Sequence, residues 1–344
     1  MILYKHYGFQ AGLSALRSSR LGFREPRHFN DPFELSNLDN ASGPVSKLTD
    51  WQSTLYSLKN GVGILSLTRE PLNPLMWAHY SQEHTGFVIG YEVDIPFLNS
   101  VNYNLIPVDR GDVVYTNSKI PHVVTSETRR LLSKLFVASM GFAFDDADRS
   151  GLETLMRKAF LIKHAAWVYE EEVRVVKPLV NHAMTIEEEY ENIYFGSDTL
   201  SYEVAPGHAV SSVEGLYLYK HPIEIKEVYL GLRNPLIADG IVVSRGDSVD
   251  LDHSLRIKAE GESWKIFALE MTAGTWQLEK KRLDPFSLIL VDRALEGAQS
   301  HLTGIQAKML KEKLQTIDFD AEDNFTISNW RQRTYIKKNN DWLD

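Results

Sequence analysis

The chain has no cysteine. That absence excludes disulfides, thiolate zinc sites, iron–sulfur clusters and a cysteine nucleophile, and it fits a reducing compartment. Long hydrophobic runs are missing as well, since no apolar stretch approaches the roughly 18–20 residues that cross a bilayer. The start, MILYKHYGFQ, has no apolar stretch behind its early lysine, so no signal peptide is expected and the expected location is the cytoplasm. Several catalytic motifs are absent too: the GxxxxGKS/T phosphate loop, the GxSxG nucleophile elbow and the HExxH metal helix. GVGILS at 61–66 begins like a dinucleotide fingerprint but lacks the third glycine. The 11 histidines are scattered, and His79 and His84 fall on different helical faces, so no metal site is expected.

What is present describes a folded chain of 344 residues, 43% hydrophobic, 24% charged and 11% aromatic, long enough to bury a sizeable core. The formal charge of −9 works against tight nucleic-acid binding. A modest basic concentration near the C-terminus (Lys308, Lys311, Lys313, Arg331, Arg333, Lys337, Lys338) is interleaved with Asp318, Asp320, Glu322 and Asp323, and reads as a solvated face.

Period and punctuation predict strands at Ile2–Tyr7, Leu21–Arg24, Gly63–Thr68, Gly86–Tyr91, Tyr169–Val176, Gly215–Tyr219, Glu224–Leu230, Leu255–Ala259 and Trp264–Leu269. Helices are expected near Gln10–Arg17, Leu75–Ser81, Glu127–Gly141 and Leu152–Lys163, the last with an apolar stripe of Leu152, Leu155, Met156, Ala159 and Phe160. The stretch 28–34, HFNDPFE, is a structured turn around Pro32, and 37–49 reads as a polar loop. A helix near Asp292–Gln315 and a polar tail holding Trp330 and Trp342 follow a soft boundary near Leu283. The expectation is therefore an α+β fold: mixed, mostly antiparallel sheets with packed helices over 1–283, plus a C-terminal helical extension over 284–344.

The chemistry is concentrated in polar residues set in apolar strands. In Trp167-x-x-Glu170-x-Glu172-x-Arg174, alternation places Glu170, Glu172 and Arg174 on one strand face. Either this is a solvated edge in which Arg174 pairs with Glu172, or a carboxylate is oriented by its neighbours for catalysis. Ser66 and Thr68 interrupt an apolar strand, with hydroxyls suited to a ribose or to local backbone. Trp77 and Tyr80 are suited to stacking on a planar ring or to a packed core. Lys5 and His6 lie on opposite faces of the first strand, and Asp31 with Glu34 flanks the Pro32 turn.

Taken in order, LYKHY, FNDPFE, LSLT, LMWAHYSQEHTGFVIGY, WVYEEEVR and IKEVYLGLR resemble an uncharacterised, mainly bacterial family, domain of unknown function 2971, over about residues 2–270. A second resemblance supplies a mechanism. A basic or His residue on an early strand, a serine/threonine strand and a later Glu-x-Glu strand are similar to the signature of ADP-ribosyltransferase-like folds. That resemblance implies NAD as substrate, with Lys5 or His6 and Ser66 with Thr68 holding it, Trp77 and Tyr80 stacking, and Glu172 acting at the ribose beside Glu170; Arg174 is an addition to the pattern. The carboxylate would stabilise an oxocarbenium-like transition state as nicotinamide leaves. The acceptor of ADP-ribose is then a protein, a nucleic acid or water, in a toxin or defence effector. Two other readings stand beside it. Asp31, Glu34, Glu170 and Glu172 would hold Mg²⁺ in a metal-dependent nuclease, or the polar strand faces form the interface of a non-catalytic sensor or partner-binding protein.

Overall fold

A computed structural model describes residues 1–31, 33, 35–119, 121–140, 146–179, 195–196, 213–236, 255, 258–259, 261–283, 325–330, 333–338 and 341–343. Along the chain the strands are β1 (Ile2–Tyr7), β2 (Arg20–Arg24), β3 (Ala41–Ser42), β4 (Val62–Thr68), β5 (Phe87–Glu92), β6 (Val114–Thr116), β7 (His122–Val123), β8 (Ile162–His164), β9 (Glu172–Pro178), β10 (Phe195–Gly196), β11 (Leu216–Pro222), β12 (Ile225–Leu230), β13 (Lys265–Met271), β14 (Leu278–Leu283), β15 (Phe325–Trp330), β16 (Arg333–Lys338) and β17 (Asp341–Leu343). The helices are α1 (Phe9–Ser18), α2 (Val45–Asn60), α3 (Pro74–Tyr80), α4 (Pro96–Asn99), α5 (Ser126–Ser139) and α6 (Arg149–Phe160), with a 3-10 turn at Ala165–Glu170 among others. This is the expected α+β class, with a mixed and mostly antiparallel sheet. Among the described residues no helix is long and apolar enough to cross a membrane.

Contacts divide the chain into two compact units. The first comprises Met1–Lys5, Ser18–Asn73 and Gly90–Glu224. Its sheet is organised around β4. Antiparallel β9 runs the whole length of one edge of β4, from Val62 opposite Pro178 to Thr68 opposite Glu172. A strand has two edges, so β2 and β1 share the other, with Arg24 opposite Ile64 and Tyr4 opposite Thr68. The sheet therefore forks on β4, with Ser66 between the two register points.

The core of this unit lies between β4, β9 and the helices α2, α5 and α6, where Trp51, Leu55, Leu58, Ile64, Leu132, Leu135, Leu155, Phe160 and Val176 are buried together. The 3.6-residue period of α6 is the cause on one side: Leu152, Leu155, Met156, Ala159 and Phe160 are all buried, as its spacing predicts. Helix α5 starts at a reciprocal cap, the Thr125 hydroxyl accepting from Thr128 N at 3.1 Å and the Thr128 hydroxyl from Thr125 N at 2.9 Å. The polar stretch expected to be a loop to residue 49 instead enters α2 at Val45. Its serines and lysine mask a stripe of Trp51, Leu55 and Leu58 that only packing reveals.

The second unit comprises His6–Arg17, Pro74–Ile89 and Ile225–Asp344. In it β12 and β13 are parallel and β13 and β14 antiparallel. The strand expected at Leu255–Ala259 is corrected: its described residues Leu255, Lys258 and Ala259 are helical, as a parallel connection between β12 and β13 favours. The helix expected near Asp292–Gln315 lies outside the described residues, as do Lys308, Lys311 and Lys313. The tail carrying Trp330 and Trp342 is a three-stranded antiparallel sheet, β15–β16–β17, and not helix.

Candidate active site at the head of β9

The structure gathers Lys5, Ser66, Thr68, Glu170, Glu172 and Arg174 in the first unit, but not by the strand geometry expected. Tyr169–Val176 is not one strand. Residues Ala165–Glu170 form a 3-10 turn, Glu171 is left-handed at φ 43°, and β9 starts only at Glu172. Glu172 and Arg174 share a face by alternation, whereas Glu170 reaches them through the turn. The local cause is a set of side-chain bonds to backbone. The Thr68 hydroxyl donates to Glu170 O at 2.6 Å, and Asn73 Nδ2 to Tyr169 O at 3.0 Å.

The centre is a compensated charge cluster. Arg174 Nε lies 2.8 Å from Glu172 Oε1 and Nη2 2.9 Å from Oε2, a two-point grip that fixes the carboxylate plane. Lys163 Nζ bridges the two acids, bonding Glu170 Oε2 and lying 3.1 Å from Glu172 Oε2. Arg174 Nη1 donates to Phe160 O at 2.6 Å, and Glu172 N to the Tyr115 hydroxyl at 3.0 Å. Arg174 is 0% exposed and Glu172 6%, so the solvated-edge reading is overturned, although its ion pair is present.

Burial has the expected electrostatic consequences. It raises the Glu172 carboxyl above the ordinary range, against which the Lys163 charge and a Ser66 hydroxyl bond pull downward. It lowers Arg174 to about 9, while the carboxylate in its grip favours the charged form. For Lys163, burial lowers the pKa, but the Glu172 and Glu170 charges together lift it above the usual lysine range. Lys5 donates to Ser66 O at 3.1 Å, and burial lowers it to about 8 against the pull of Glu172.

Lys163 and Tyr115 are the members that sequence reasoning missed. They stand opposite each other on the parallel pair β6 and β8. The pattern Ile162-Lys163-His164 buries its lysine and leaves its isoleucine partly exposed, the reverse of what composition suggests. No local signal marks it.

His6, Trp77 and Tyr80 lie in the second unit. His6 Nδ1 is 2.9 Å from Ser81 Oγ, and its ring meets the edge of Trp77 at 5.5 Å. Trp77 is fully buried and stacks on His84 at 6.1 Å, which is the packed-core arrangement. Tyr80 is half-buried with its ring against His79. Of the nuclease set, Asp31 accepts from Phe33 N at 2.8 Å, closing a local turn, and Glu34 lies outside the described residues. Among the described residues no group of three or more His, Asp or Glu is placed to hold a metal ion.

The matched family segment covers the head of β9. Residues 76–175 match the family described as protein of unknown function (DUF2971). No curated protein and no solved structure matches the chain. The DUF2971 segment holds Tyr115, Lys163, Glu170, Glu172 and Arg174, so the whole charge cluster falls inside it, while Lys5, Ser66 and Thr68 precede it. The resemblance drawn from the sequence motifs is thus found over less than a third of the chain.

Proposed function

We propose that the chain is an ADP-ribosyltransferase-like enzyme that cleaves the nicotinamide–ribose bond of NAD and passes ADP-ribose to water or to a macromolecular acceptor, in the role of a toxin or defence effector. One observation carries the reading: Lys5, Ser66 and Glu172, from three distant segments, stand on the adjoining strands β1, β4 and β9, where Tyr4, Thr68 and Glu172 are in register. Lys5 offers a cation for the pyrophosphate and Ser66 a hydroxyl for ribose. Glu172 offers negative charge to the oxocarbenium-like carbon, in an orientation that Arg174 and Lys163 fix beforehand. Glu170 shares the lysine and keeps a second carboxylate beside the first. The proposal draws on the first unit alone, and does not call on His6, Trp77 or Tyr80.

The test is nicotinamide release from NAD by the full chain beside Glu172→Gln, with and without chelator and with cell lysate as a source of acceptor. The expected result is release that Glu172→Gln abolishes and chelator leaves intact. Release that survives Glu172→Gln, or no release in any arm, overturns the reading. Growth arrest on expression should likewise disappear in Glu172→Gln.

A further inference from the structure

The sequence motif FNDPFE reaches the charge cluster through its first residue. The Arg174 guanidinium carbon lies over the Phe29 ring, 5.8 Å from its centroid. Strands β2 and β9 occupy opposite edges of β4, so the chain that leaves β2 at Arg24 crosses β4 before Phe29 meets a side chain of β9. A 3-10 turn at Pro26–His28 makes that crossing and is fastened at both ends. At its end Phe29 N donates to Pro26 O at 3.2 Å, and Arg24 Nε donates to His28 O at 3.4 Å. At its start the buried Glu25 carboxylate accepts from the Tyr217 hydroxyl and from Arg27. Phe29 is thus delivered to a fixed place, packed on the core of the first unit.

A guanidinium makes hydrogen bonds only in its own plane. In Arg174 the bonds of Nε and Nη2 go to Glu172 and that of Nη1 to Phe160 O, so the edges are held by polar partners and the face is left to apolar contact. An aromatic ring on that face excludes water, and its electron-rich surface favours the charge that burial disfavours. Arg174 is fully buried, whereas Phe29 is half-buried, so the ring forms the outer layer of the pair.

We infer that Phe29 is a positioning residue of this site: its ring seals one face of the Arg174 guanidinium, and through that cation it fixes the plane of the Glu172 carboxylate. The inference deepens the NAD reading, on which its turnover readout rests. Because Phe29 acts through Arg174, losing the ring costs orientation in the transition state more than affinity for NAD.

The experiment compares the full chain with Phe29→Leu, which fills most of the space without an electron-rich face, and with Phe29→Tyr, which keeps the ring. In the first assay, nicotinamide release across a range of NAD concentrations, kcat should fall about tenfold in Phe29→Leu with KM within about twofold, and stay near the parent in Phe29→Tyr. The second assay needs no NAD. In protein carrying isotope-labelled arginine, the Arg174 Nε–H signal is assigned through its own backbone amide and its exchange with water is measured by nuclear magnetic resonance. Exchange should be slow in the parent and in Phe29→Tyr, and about tenfold or more faster in Phe29→Leu. Equal exchange in all three proteins overturns the inference. So does a parent-like kcat in Phe29→Leu when the parent releases nicotinamide, or a fall in kcat shared equally by leucine and tyrosine. The two readings fail separately: a parent without release removes the NAD reading, while the exchange of Arg174 still decides whether the ring holds the pair.

Discussion

Arg174 closes on Glu172 from two residues along the same strand, with Nε and Nη2 each taking one carboxylate oxygen, at 2.8 and 2.9 Å. Both side chains are buried, so the pair is worth little as a surface attraction but much as a constraint. Removing any one charge of the cluster strands another inside the protein. Four predictions follow from that interdependence and from the close packing around it.

Lys163→Met leaves Glu170 and Glu172 facing each other without the ammonium that joins them. An uncompensated buried charge costs about 3–5 kcal/mol, so the unfolding free energy from urea denaturation should fall by an amount of that order and the midpoint with it. Adding Glu170→Gln should recover a substantial part of the loss, because one of the repelling charges is then gone. An equal midpoint in the single variant and the parent would show that the bridge contributes nothing.

Thr68→Val keeps the shape of the side chain and deletes the hydroxyl that donates to Glu170 O and accepts from Glu70 N. With both hydrogen bonds deleted, a loss of about 1–3 kcal/mol is expected in thermal or denaturant unfolding. Thr68→Ser retains the hydroxyl and should lose far less. The comparison isolates the hydrogen bond from the packing.

Gly111 lies against the backbone of Arg174, where a Cβ would stand 2.0 Å from the carbonyl oxygen, while Arg174 N donates to Gly111 O at 2.8 Å. Gly111→Ala must therefore push β9 away from its neighbour. The expected outcome is a loss of stability above about 2 kcal/mol, of the size overpacking produces, with nicotinamide release lost in parallel. Wild-type stability in this variant would contradict the close approach.

The pH dependence should carry the signature of buried lysines. Lys5 is lowered by burial to about 8 from 10.5, and Lys177, enclosed by Phe23, Phe97 and Tyr219, is lowered well below 10.5 by the same cause. In both cases the unfolded chain binds a proton that the folded chain does not, between the folded and the unfolded pKa. Stability therefore rises with pH through that window, from about 8 to 10.5 for Lys5 and over a window that likewise ends at 10.5 for Lys177. Lys163 has the opposite sign: its folded pKa is raised, so its contribution is present below 10.5 and lost at more alkaline pH. Unfolding midpoints measured from pH 7 to pH 10 should rise less steeply in Lys5→Met and Lys177→Met than in the parent. An unchanged slope would mean that neither ammonium is desolvated.

Much of the fold was legible in the sequence wherever one local rule dominated. The first strand at Ile2–Tyr7 follows from a short apolar-aromatic run bounded by Gly8, and the stripe of α6 from period. Where two signals conflicted, local reading failed. Three consecutive glutamates at 170–172 within a β-rich stretch read as one exposed strand, yet Glu171 takes a left-handed turn and its two neighbours are buried. The polar surface of α2 and the short strand bearing Lys163 were hidden for a related reason, since their burial is set by what packs on them and not by their own composition.

By itself the sequence determined the class of the fold, the absence of thiol chemistry and the residue types from which a site is built, because composition and period are local properties. It also brought Lys5, Ser66, Thr68, Glu170, Glu172 and Arg174 to notice, as polar residues out of place in apolar strands. Only the tertiary structure decided that β4 carries β1 and β2 on one edge and β9 on the other, and that Lys163 bridges the two acids. Pairing between distant strands and the balance of charge in a buried cluster depend on residues far apart in sequence. No local rule constrains them, and it is the burial of the cluster that gives each of its charges a consequence.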